Sequence, residues 1–314
     1  MEPRRFWSCT KILILISLLF PFLANLSCQK QKGVEPKSKT NSPPVITSVN
    51  ILPEKPYKGS ELNLVIQSND PDRDPVVCQC QWIKNDEEIV GENKNVLRSD
   101  NFKKGDLIRV KITPNDGKVD GNPFLSSPVK ILNSPPVVQE VWIEPKVAYI
   151  NDNLKAFVKG FDTDGDFIYY TYQWAKNGVV LQEERKEVLE KGLFKKGDSI
   201  TVIVTSDDRE VLGISKKSDP IIISNSPPAI VSSPTTSVQG KVYLYQVKAN
   251  DPDYDPIIFT LKSGPKGMEI DQHTGLIRWE IREENKGTHS IEIEVSDNEG
   301  VKSIQRYTLL IEFR

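Results

Sequence analysis

The tetrapeptide Asn-Ser-Pro-Pro stands at 41–44, again at 133–136 and again at 225–228. Both intervals are 92 residues, and a fixed period demands an array of like units, each with its own core, rather than one large fold. Between the first two units the register holds throughout. Trp82 and Trp174, the turn Phe102-Lys103-Lys104-Gly105-Asp106 and its copy Phe194-Lys195-Lys196-Gly197-Asp198, and Asp70, Asp72 and Asp74 against Asp162, Asp164 and Asp166 all lie one period apart. The third unit keeps the aspartates, at 251, 253 and 255, but has neither that tryptophan nor the Lys-Lys-Gly-Asp turn. The paired prolines stop a strand from running through each linker and stiffen the joint. The units are therefore set at 41–132, 133–224 and 225–314.

Within each unit apolar residues alternate with polar ones. Leu62, Leu64 and Ile66, then Ile108, Val110 and Ile112, are matched by Ile200, Val202 and Val204, and in the third unit by Ile291, Ile293 and Val295. Period two marks strands with one buried face. Asn85-Asp86, Asp116-Gly117, Asn177-Gly178 and Asn298-Glu299-Gly300 supply turns between them. About seven short strands in some ninety residues fit a β-sandwich of immunoglobulin-like topology, with Trp82 and Trp174 in the cores. The expected fold class is all-β, three tandem sandwiches. Cys78 and Cys80 are two apart in a strand and correspond to Tyr170 and Tyr172. They read as buried free thiols at a packing position, with a metal or redox pair as the alternative.

Ahead of the units, Arg4, Arg5 and Lys11 precede an apolar run from Ile12 to Ala24, and the chain turns polar at Cys28-Gln29-Lys30. Charged, apolar and small-residue parts in that order make an export signal, and the run is short for a membrane span. Where Asn25-Leu26-Ser27-Cys28 closes it, the segment resembles a lipoprotein signal, so residues 1–27 are expected to be removed and Cys28 to carry lipid. Secretion without lipid, or an uncleaved anchor, are the alternatives. By resemblance to enterobacterial lipoprotein sorting rules, Gln29 after the cysteine implies the outer membrane rather than the inner. Residues 28–40, with Lys30, Lys32, Lys37 and Lys39 and no periodicity, read as a flexible tether. The chain has 41 Lys plus Arg against 43 Asp plus Glu and only 2 His. That balance argues against a nucleic-acid partner, which needs a basic stripe, and leaves zinc sites and histidine-activated nucleophiles without raw material.

Chemistry concentrates in the aspartate runs Asp70-Pro71-Asp72-Arg73-Asp74, Asp162-Thr163-Asp164-Gly165-Asp166 and Asp251-Pro252-Asp253-Tyr254-Asp255. Three carboxylates on alternate residues repel one another and are better tolerated around a hard cation. Calcium, with six to eight oxygen ligands in a flexible cage, suits them better than magnesium or zinc. An EF-hand is excluded, because position 12 of that loop would be Gln81, Gln173 or Lys262. Such sites must be completed from elsewhere. Each unit offers a late acidic turn, at Asp116, Asp208 and Asp297, and an incoming Asn133 or Asn225, which sandwich topology would bring to the same end as the run. The competing reading is a set of Asp-rich turns that hydrogen-bond their own backbone.

The third unit carries Gly267-Met268-Glu269-Ile270-Asp271, then Thr274-Gly275-Leu276-Ile277-Arg278-Trp279, then Val295-Ser296-Asp297-Asn298-Glu299-Gly300. Over most of 226–314 it resembles the dystroglycan-type cadherin-like (He_PIG) family. The first two units resemble cadherin-like and PKD-like bacterial repeats more loosely. Such families are mostly cell-surface adhesion and spacer modules. The resemblance implies calcium at Asp70, Asp72, Asp74 and Asp116, at Asp162, Asp164, Asp166 and Asp208, and at Asp251, Asp253, Asp255 and Asp297. Affinity would be on the order of 10⁻⁴ to 10⁻³ M, as in extracellular modules. No cadherin-type Asp-Arg-Glu stands in mid-unit, since Asp208-Arg209-Glu210 lies in a late turn. The expected function is a non-enzymatic, exported, lipid-anchored adhesion or spacer rod of the cell envelope, held to the membrane and presenting a surface to a protein or glycan ligand. The alternative is a glycan-binding accessory lipoprotein of a polysaccharide-processing system, with Tyr169, Tyr243, Tyr245 and Tyr254 as stacking candidates.

Overall fold

The computed structural model describes residues 40–98, 102–238 and 241–313. The signal segment 1–27, the tether up to residue 39 and the lipidation site Cys28 lie outside the described residues. Residues Ser42–Arg314 hold together as one unit, and within it three separate apolar clusters form, one for each repeat.

In the first repeat the strands Val45–Leu52, Glu61–Asn69 and Val96–Arg98 make one antiparallel sheet. Glu87–Glu88, Val77–Lys84 and Leu107–Asn115 make the other, and the last of these also pairs with Phe124–Leu125 and Val129–Lys130. The inward residues of both sheets, Ile51, Leu62 and Leu97 from one and Cys80, Trp82, Ile108, Val110 and Ile112 from the other, share one core. The second repeat copies this plan with Val137–Glu144, Leu154–Phe161 and Val188–Leu189 against Tyr169–Lys176 and Ser199–Asp207. Trp82 and Trp174 are each 0% exposed. Each indole donates to a backbone carbonyl, that of Lys94 at 2.8 Å and of Lys186 at 2.9 Å, so burying the ring strands no polar group.

Cys78 and Cys80 are free thiols that pack in the first core or against it, as the alternation predicts. Burial pushes both thiols up, Cys80 further through its neighbour Cys78, which favours their protonated form.

The third repeat is built differently. Val242–Gln246, Leu276–Glu280 and Glu269–Ile270 face Ile258–Ser263, Gly287–Ser296 and Lys302–Ile311, with Ser237–Val238 added in parallel to the last. Trp279 fills this core from a different strand, in one buried cluster with Tyr243, Tyr245 and Ile291. A hairpin pairs Glu269–Ile270 with Ile277 and Arg278 around the turn at Asp271.

The register of the long strand pairs sets where the acidic segments lie. Val77 pairs with Asn115, Tyr169 with Asp207 and Ile258 with Ser296. The loop that enters one strand thus lies beside the turn that leaves its partner, so the aspartate run and the late aspartate of each repeat arrive at the same end.

Candidate metal centre

Each run is a tight turn organised by its first aspartate. Asp162 is 6% exposed, and its Oδ1 accepts the backbone N–H groups of Asp164, Gly165 and Asp166 at 2.8, 2.9 and 3.1 Å. Asp70 does the same for Asp72 and Asp74, and Asp251 for Asp253 and Asp255. The fourth residue of each turn is left-handed: Arg73 at φ 69°, Gly165 at 86° and Tyr254 at 66°. Backbone hydrogen bonding therefore accounts for one oxygen of the leading carboxylate, and only one.

The second oxygen, Oδ2, is buried without a partner in Asp70, Asp162 and Asp251. In the second repeat it has company. Asp164 Oδ2 accepts the N–H of Ser134 at 2.6 Å, while its Oδ1 is buried and unpaired, as are Asn133 Oδ1 and Ser134 Oγ. The third repeat reproduces this atom for atom. Ser226 N–H donates to Asp253 Oδ2 at 2.6 Å, and Asp253 Oδ1, Asn225 Oδ1 and Ser226 Oγ are buried without partners. The carboxylates of Asp162, Asp164 and Asp166, and those of Asp251, Asp253 and Asp255, offer ligand atoms all within 4.8 Å of one another. Among the described residues the first run is not gathered in this way, although Asp72 Oδ2 accepts the Ser42 N–H at 2.7 Å as its copies do.

Asp208 and Asp297 reach the same end in another role. Asp208 Oδ1 accepts the N–H groups of Glu210 and Val211, and its Oδ2 takes the Asn133 amide at 2.6 Å. Asp297 holds Glu299, Val301 and Asn225 likewise. Burial raises each carboxyl, but these donors outweigh it and leave both below the usual carboxylate range. Both oxygens being engaged, these two aspartates aim the asparagines, turning Asn133 Oδ1 and Asn225 Oδ1 away from the amide bond. Asp116 binds the N–H groups of Lys118 and Val119 in the same manner.

The donor chemistry decides what such a pocket fits. An unpaired buried polar atom costs about 1–3 kcal/mol, more when charged, and here carboxylate, amide and hydroxyl oxygens cluster with no nitrogen or sulfur ligand. A hard cation taking six to eight oxygens fits that set, and a zinc-type ion does not.

Lysines of the preceding repeat close over the sites. Lys104 Nζ lies 2.6 Å from Asp166 Oδ2 and 2.7 Å from Glu210 Oε1, and Lys58 Nζ donates to the Thr163 carbonyl at 2.7 Å. Lys196 pairs with Asp255, and with Glu299 at 2.7 Å. Hydrogen bonds donated to these acids raise both ammonium groups well above the usual lysine range. The turn that carries each lysine is fixed. Lys195 N–H and the Asn177 amide donate to Asp198 at 2.9 and 2.7 Å, and overcome its burial to hold that carboxyl low.

Sequence reading brought the runs, the late aspartates and the asparagines together. It missed Ser134 and Ser226, which the repeated tetrapeptide already signalled, and it took Lys104 and Lys196 for turn residues only. Of the proposed stacking tyrosines, Tyr243 and Tyr245 are core residues and so unavailable to a glycan, whereas Tyr169 and Tyr254 are exposed.

With this geometry in place, comparison assigns the last repeat. Residues 220–312 match the family described as "Putative Ig domain". A comparison with curated protein sequences finds no match. Among solved structures, Sidekick-1 immunoglobulin domains 1–5 is similar at 13% identity, with 88% of this chain covered and a TM-score of 0.33. This chain spans 60% of that one. The insect immune protein hemolin is similar at 15% identity over 85% of this chain and 76% of its own, with a TM-score of 0.34. Drosophila N-cadherin EC1-4 is similar at 15% identity over 82% and 71%, with a TM-score of 0.28.

Proposed function

We propose that this chain is a non-enzymatic, exported and lipid-anchored cell-envelope protein whose tandem sandwiches act as an adhesion or spacer array, stiffened by calcium at the joints. The observation that supports calcium is the duplicated set of buried oxygens without hydrogen-bond partners. Asn133, Ser134, Asp162, Asp164 and Asp166 would hold one ion, and Asn225, Ser226, Asp251, Asp253 and Asp255 another. Bound there, a divalent cation supplies the positive charge that lets neighbouring carboxylates coexist. The protein's own part is to pre-position them: Asp208 and Asp297 orient the asparagines, and the Ser134 and Ser226 amides fix the middle carboxylates.

Export rests on the signal-like segment and Cys28. Among the described residues no helix is long and apolar enough to cross a membrane. A surface role rests on the immunoglobulin-type modules, and fold alone names no ligand.

The test is thermal unfolding of the full chain in mild detergent, with chelator, with calcium and with magnesium. At ten times its dissociation constant a ligand stabilises by about 1.4 kcal/mol per site. A calcium-specific rise that disappears in Asp162→Asn/Asp164→Asn for the second repeat, and in Asp251→Asn/Asp253→Asn for the third, is the expected result. An unchanged midpoint up to several millimolar calcium removes the metal from the reading and leaves a proline-jointed spacer.

A further inference from the structure

Positions 118, 210 and 299 are equivalent, each two residues beyond the late aspartate of its repeat. They are Lys118, Glu210 and Glu299, and the change of sign tracks what each repeat touches. In the second repeat Glu210 stands beside Asp166, and the ammonium of Lys104 from the first repeat bridges the two. In the third, Glu299 and Asp255 receive Lys196 of the second. No aspartate run and no Lys-Lys-Gly-Asp turn stands ahead of the first repeat in this sequence. There Lys118 reaches the last carboxylate of its own run, 2.5 Å from Asp74 Oδ2.

We propose that the charge at this position encodes the order of the array. A glutamate completes a two-carboxylate socket for the lysine of a preceding repeat, and a lysine seals the socket from within and makes its repeat the first. An ammonium has three donors and no acceptor, so a pair of carboxylates satisfies it where a single one leaves donors to water. The lysine arrives on a turn held by Asp106 or Asp198, hence from a fixed direction. Were residue 210 a lysine, it would take Asp166 as Lys118 takes Asp74, and Lys104 would meet a like charge in place of a partner. Such charge reversal discriminates partners by repulsion as well as attraction. The third repeat lacks the Lys-Lys-Gly-Asp turn and so offers no such lysine to a further unit.

This inference does not rest on cation binding, and its test is run in chelator so that the two fail separately. Residual dipolar couplings of the full chain in detergent report whether adjacent repeats share one alignment. The expected results are one common alignment for the first two repeats in the native chain, loss of it in Glu210→Lys and in Lys104→Gln, and recovery when Glu210→Lys is combined with Lys104→Glu. The second and third repeats keep their common alignment in all of these. Amide spectra of the second repeat check that each variant is folded. Should Glu210→Lys retain a common alignment, or the charge-exchanged pair fail to regain it, the proposal is overturned. Lys104→Gln adds no charge, so it separates loss of the bridge from the effect of a new cation.

Discussion

At the scale of single residues, the fourth position of each aspartate run shows what the turn costs. A left-handed backbone is disfavoured by about 1–2 kcal/mol for a residue with a side chain, yet Arg73 and Tyr254 adopt it because the first aspartate gathers the N–H groups around it. Gly165 meets the same demand freely, and nothing lies within 4 Å of where its Cβ would be. Gly165→Ala should therefore lower stability by about 1 kcal/mol through backbone strain alone, with urea denaturation as the measurement. Tyr254→Gly should be neutral to mildly stabilising, since the ring is 92% exposed and loses little. The acidic groups give a pH dependence of definite sign. Asp198, Asp208 and Asp297 have folded values below their unfolded ones. The stability they add is complete above the unfolded value, about 3.9, and is lost as pH falls through the folded values. Acid titration followed by tryptophan fluorescence should show the second and third repeats loosening in that range, and Asp198→Asn should blunt the effect in the second.

At the scale of strands and turns, the linker and the late turn are fitted to one another. Ser206 Oγ donates to the Pro136 carbonyl at 2.8 Å, and a Cβ on Gly213 would collide with that carbonyl and with Ser206. Gly121 stands in the same relation to Pro44. Because the obstacle is backbone, Gly213→Ala should cost about 1–3 kcal/mol, in line with overpacking a tight site, and amide exchange should quicken along Ser199–Asp207. Much at this scale was legible in sequence: the alternation at Ile108, Val110 and Ile112 and the turn glycines placed the long strands, and the period carried them into the second repeat. The two-residue strands were not legible, since Glu87–Glu88 or Lys216–Lys217 owe their pairing to a neighbour and carry no pattern of their own. Nor was the parallel pairing of Ser237–Val238 with Leu310–Ile311, which joins segments far apart in the chain. In the sites, carboxylates announced themselves by spacing, whereas Ser134 and Lys104 became visible only once the register had brought three segments together.

At the scale of the whole molecule, the described residues hold two full oxygen sets for three aspartate runs. Calorimetric titration should accordingly find two calcium equivalents, one after Asp162→Asn/Asp164→Asn. The lysine bridges and the oxygen sets sit at the same ends of the repeats yet act differently, one giving direction and the other demanding charge. The second repeat is alone in carrying both halves of the bridge, Glu210 with Asp166 at one end and Lys196 at the other. Its 92 residues are thus a self-consistent unit of growth. A duplication of 133–224 in place would add a length of chain whose new joint already has its matching lysine and acid pair, so an array of this type can lengthen in one genetic step while its first and last members stay as they are.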